Sequence, residues 1–164
     1  MSDSKIVLIA EDNPDEVFLM SRVFARTGLP FELRFVTNGQ QAIDYLEGKP
    51  PFDKAGESPR PSAIILDLKM PGVDGFEVLT WLRLRPELSR IPAVVHSSSG
   101  IREDRERARE LGALDYYVKG SGPSELMAMF RAVSDRWLKG SVSAPVPAKS
   151  RAPGNNNPAP PTDG

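Results

Sequence analysis

Five side chains of complementary chemistry stand at the ends of short apolar runs. Glu11 and Asp12 follow Lys5 to Ala10, Asp67 follows Ala63-Ile64-Ile65-Leu66, Ser97 closes Ile91 to Ser97, and Lys119 follows Leu114 to Val118. In open α/β sheets, ligands bind outside the carboxyl ends of the strands. If these runs are parallel strands, three carboxylates, a hydroxyl and an ammonium converge at one edge. Carboxylates so close repel, and each raises its neighbours' pKa. A divalent cation relieves the conflict, and an oxygen-only donor set favours Mg²⁺ or a similar hard ion. A carboxylate held beside Mg²⁺ and a lysine is also a nucleophile toward a phosphoryl group, because both cations neutralise the transferred oxygens.

The elements that must hold these groups alternate regularly. Lys5 to Ala10 is apolar and rich in β-branched residues, as a buried strand should be. Asn13-Pro14 opens a helix that runs to Thr27 and stops at Gly28. Phe31 to Val36 is a second strand. Gly39 to Glu47 is a short helix with Ala42, Ile43 and Leu46 inward. A proline-rich loop, 48–61, precedes the third strand. Helices are expected from about Asp74 to Arg85 and from Glu103 to Leu111, the latter almost wholly charged and therefore solvated. The last begins at Pro123, with Leu126, Met129, Phe130, Val133 and Trp137 in one stripe; Met127 and Leu138 fall off it and could belong to a dimer face. Five strand–helix units imply a doubly wound parallel sheet with helices on both faces.

Of the 16 prolines, ten lie in two stretches, Pro50 to Pro61 and Pro145 to Pro161. No Leu, Ile, Phe, Tyr or Trp occurs after Ser141, so one domain over 1–140 and a disordered tail over 141–164 are expected. The chain has 164 residues, no cysteine, one histidine and a net charge of -1. That excludes a disulfide scaffold, a thiolate metal site and a multi-histidine cage, and argues against nucleic-acid binding. No segment approaches the roughly 20 apolar residues of a membrane span, so a cytoplasmic location is the default.

Glu11-Asp12-Asn13, Asp67-Leu68-Lys69-Met70-Pro71-Gly72-Val73-Asp74-Gly75, Ser97-Ser98 and Lys119 together resemble the receiver domain of two-component response regulators. The 30-residue and 22-residue intervals from Asp67 to Ser97 and from there to Lys119 match that family. The resemblance implies a flavodoxin-like sheet in the order 2-1-3-4-5. It implies Asp67 as phosphoacceptor from a sensor histidine kinase, with Ser97 and Lys119 assisting. It also implies Mg²⁺ bound by Asp12, Asp67 and the main-chain carbonyl of Lys69, with Glu11 acting through water, and Ser97 and Tyr116 as switch residues. Signalling would run through a downstream protein, and a homodimer could form through the fourth helix, fifth strand and fifth helix. The proline-rich loop and the Glu-Asp-Asn-Pro-Asp opening are similar to the single-domain regulators that partner phytochrome-type kinases.

Gly120 stands where the family usually has a cis proline, so either a trans link or a more mobile loop is expected. Ser97 replaces the usual Thr, and Lys69 adds an unusual positive charge. His96 reads as a half-buried strand residue. Two rivals stay open: a phosphatase of the haloacid dehalogenase type, disfavoured because Lys69 stands where its second Asp would be, and a receiver-like module that is not phosphorylated. The favoured reading is a switch with no separate substrate rather than an enzyme.

Overall fold

The computed structural model describes residues 4–139. The expected tail, 141–164, lies outside them. Five parallel strands form one sheet: β1 (Lys5–Ala10), β2 (Phe31–Val36), β3 (Ala63–Leu66), β4 (Ala93–Ser97) and β5 (Asp115–Val118), in the order β2-β1-β3-β4-β5. The helices are α1 (Pro14–Thr27), α2 (Gly39–Glu47), α3 (Gly75–Arg83), α4 (Arg102–Glu110) and α5 (Pro123–Val133), followed by a π-helical turn, Ser134–Leu138. This is the flavodoxin-like strand order that the resemblance implies. Among these residues, no helix is long and apolar enough to cross a membrane.

The central strands are apolar throughout because helices cover both faces. Leu8, Ile64, Leu66 and Val95 pack toward Ala42, Phe76, Val78, Leu79 and Ala108. Val7, Ile9, Ile65 and Val94 pack toward Met20, Val23, Met129, Phe130 and Val133. Fully burying a side chain of this size stabilises the fold by about 1.5–3 kcal/mol.

Helix boundaries follow from local chemistry. The Asn13 side chain accepts from Asp15 N–H at the start of α1, and Gly28 ends it at φ 69°. Asp74 and Glu77 form a reciprocal cap on α3, which satisfies two otherwise free N–H groups. As expected from its composition, α4 buries only Ala108.

Two expectations change. In α2, Tyr45 is buried with Ala42, whereas Ile43 and Leu46 are half-buried. The Tyr45 hydroxyl donates to Pro59 O at 2.9 Å and its ring meets Phe52 edge-on, pinning the proline-rich loop. At the end of α5, Lys139 N–H donates to Ser134 O at 2.9 Å, five residues back. That extra residue per turn shifts the helical phase. Leu138 is therefore buried beneath Val133, and Trp137 is only half-buried. Leu138 is thus a core residue and not part of a dimer face.

Candidate functional site

Asp67 is the first residue beyond β3, and its main-chain N–H donates to Ala10 O at 3.1 Å. This ties it to the end of β1, where Glu11 begins. Gly75 fixes the other side. A Cβ there would lie 2.3 Å from Asp67 O and 2.8 Å from Leu68 Cα. Only glycine lets the start of α3 approach the end of β3 this closely. Gly75→Ala is therefore expected to destabilise the protein by about 1–3 kcal/mol, read as a lower urea midpoint with unchanged slope.

Glu11 and Asp67 are buried, at 1% and 4% exposure, and Asp12 is exposed. One carboxylate oxygen from each lies within 4.8 Å of the others, a spacing that fits a metal ion. Lys119 Nζ bridges the buried pair, 2.9 Å from Glu11 Oε1 and 3.0 Å from Asp67 Oδ2. Asn13 N–H donates to Glu11 Oε2, and Lys69 N–H to Asp67 Oδ1 at 3.3 Å.

Electrostatics follow from this crowding. Burial, reinforced by the charge of Asp67, outweighs the Lys119 hydrogen bond and pushes the Glu11 carboxyl up to about 7. Burial also works against the Lys119 charge. Its hydrogen bonds to Glu11 and Asp67 prevail and hold the ammonium above its ordinary pKa. The site therefore carries more negative charge than one lysine neutralises, and a hard divalent cation suits the remainder.

Ser97 is fully buried at the end of β4, and its hydroxyl accepts from Ser99 N–H at 3.2 Å rather than bonding the carboxylates. Tyr116 is already tied inward, its hydroxyl donating to Ser99 O at 2.7 Å. The Arg105 guanidinium lies 4.8 Å above its ring. After Lys119, Gly120 takes φ 89°, which a proline could not adopt. The cis peptide bond among the described residues is Pro50–Pro51, so the Lys119–Gly120 link is trans.

Sequence reasoning missed two groups. His96 is buried, not half-buried, at 4% exposure. Its Nε2 is 3.9 Å from Glu16 Oε2, and among the described residues Nδ1 has no hydrogen-bond partner. Burial, and then the Lys119 charge, lower its pKa to about 4, so the imidazole is neutral. Asp104 in α4 is the second group. It accepts from Ser99 Oγ and faces Lys69. In sequence it is one charge among nine helical residues of which only Ala108 is uncharged, so nothing marked it.

Residues 7–131 match the family described as "Response regulator receiver domain". The chain belongs to this family. The receiver is 31% identical to Response regulator Rcp1 of Synechocystis sp. over 142 residues, covering 87% of this chain and 94% of that protein. It superposes on Mn(2+)-bound Rcp1 with a TM-score of 0.72, at 31% identity and covering 87% and 99% of the two chains. It also superposes on the phosphorylated cyanobacterial phytochrome response regulator RcpA with a TM-score of 0.74, at 31% identity and covering 85% and 98%. The third neighbour is RPA3017, a response regulator in red light signaling of R. palustris, with a TM-score of 0.77, 30% identity, and 87% and 99% covered. The receiver is accordingly a component of two-component signalling.

Proposed function

We propose that Asp67 is the phosphoacceptor of this receiver. A carboxylate oxygen of Asp67 forms the O–P bond as the P–N bond to a sensor kinase's phosphohistidine breaks, and the imidazole leaves. The observation that carries the reading is Lys119 Nζ, 3.0 Å from Asp67 Oδ2. An ammonium there neutralises phosphoryl oxygens as charge builds on them. Ser97 supplies a hydroxyl to another oxygen once it leaves Ser99. Asp12, Asp67 and the main-chain carbonyl of Lys69 are the donors for Mg²⁺, with Glu11 reached through water. A bound Mg²⁺ would neutralise the carboxylates and the incoming phosphoryl oxygens. The acidic cluster and the Mn(2+)-bound relative support a divalent ion there.

The likeness to RcpA, and to RPA3017 of red light signaling, favours a phytochrome-type kinase as donor. The α4–β5–α5 face, with Tyr116 behind it and Leu114 exposed beside it, is the surface for a downstream protein or a second copy of the chain. On this reading the protein acts as a switch in the cytoplasm and turns over only its own aspartyl phosphate.

Incubation with Mg²⁺ and acetyl phosphate should add one phosphoryl mass to the intact protein, and Asp67→Asn should add none. Absence of the adduct at saturating donor overturns the assignment.

A further inference from the structure

Lys69 lies at the junction of two acidic demands. Its N–H donates to Asp67 Oδ1, and its ammonium is 3.9 Å from Asp104 Oδ2. Asp104 stands in the first turn of α4 and accepts from Ser99 Oγ at 2.5 Å. Ser99 in turn donates its N–H to Ser97 Oγ and accepts from the Tyr116 hydroxyl. Among the described ion pairs, Lys69 is the only base on Asp104. Both side chains keep solvent access, at 58% and 19% exposure, so the pair can exchange partners without opening the core.

We propose that Lys69 and Asp104 form a partner-exchange latch between the phosphoacceptor loop and α4. This rests on the assignment of Asp67 as phosphoacceptor. A phosphoryl group on Asp67 replaces the single charge of the carboxylate with up to two, within a lysine side chain's length of the Lys69 backbone. The Lys69 ammonium then leaves the single charge of Asp104 for the phosphoryl oxygens. The first turn of α4 loses its tie to the β3–α3 loop. This route biases α4 from the loop side, in parallel with the one through Ser97 and Tyr116.

Hydrogen–deuterium exchange of the full chain over residues 102–107, with Mg²⁺, tests the latch. Without a phosphoryl donor, Lys69→Met and Asp104→Asn should each speed exchange about two- to fivefold, the scale of a partly exposed ion pair. Lys69→Arg should restore the wild-type rate. Acetyl phosphate should speed exchange in the wild type by a larger factor than in Lys69→Met, both adducts being verified by intact mass. Wild-type exchange rates in the unmodified variants overturn the latch, as does an equal phosphoryl-induced change in wild type and Lys69→Met. Failure of the wild type to form an adduct instead removes the phosphoacceptor assignment. Unchanged exchange with a verified adduct removes only the latch.

Discussion

Lys119→Met should lower the stability of the metal-free protein by about 3–5 kcal/mol at pH 8, the cost of stripping one partner from a buried ion pair. The size follows from what remains. Glu11 and Asp67 are 1% and 4% exposed and both bond the same ammonium. Removing it leaves two buried carboxylates facing each other. The loss should shrink toward pH 5, where Glu11, already pushed up to about 7, holds its proton. Mg²⁺ should stabilise the variant more than the wild type, because a cation takes over the neutralisation that Lys119 supplied. Urea denaturation at the two pH values, with and without Mg²⁺, measures all three effects. A Lys119→Met protein as stable as the wild type at pH 8 would falsify the picture of a charge-neutralising bridge.

The second large effect is hidden in the wild type and appears in His96→Leu. The Glu11 carboxyl is raised from 4.5 to about 7. Between those values the folded state binds more protons than the unfolded state, so stability falls as pH rises. The His96 imidazole is lowered from 6.5 to about 4. Between those values the unfolded state binds more protons, so stability rises with pH. The two slopes oppose each other from about pH 4.5 to 6.5 and nearly cancel. Leucine at position 96 removes one of them. The metal-free variant should then lose stability, on the order of 3 kcal/mol in all, as pH rises from about 4.5 to 7. Saturating Mg²⁺ should flatten that slope, since a cation beside Glu11 draws its carboxyl back down. A His96→Leu profile as flat as the wild type in chelator would show that Glu11 titrates normally.

The site was legible wherever chemistry and strand ends coincide. Asp67 closes four apolar residues, Lys119 closes β5, and the sheet brings both to Glu11 because parallel strands share one carboxyl edge. Contacts that depend on depth or on long side chains were not legible. Nothing local to Val95-His96-Ser97 tells a buried imidazole from a half-buried one; that depends on α1 delivering Glu16 to within 3.9 Å. The charged run of α4 was read correctly as solvated. Its anchors are distant: Arg83 Nη1 donates to Glu110 O, and the Arg107 guanidinium stacks 3.9 Å over Phe76. Arginine reaches such partners from exposed positions, so no periodicity records them. At the end of α5, a 3.6-residue period carried past Val133 assigns Trp137 to the core. One i→i−5 hydrogen bond reverses that.

The same π-helical turn sets a rule for anyone building onto this chain. An output helix fused in frame with α5 at Leu138 would inherit a face rotated by one residue, about 100°, relative to a straight continuation. A heptad seam designed from Leu126, Met129 and Val133 would point away from its intended partner. Phasing the seam from Leu138 instead, or deleting one residue of Ser134–Leu138, would bring it back into line.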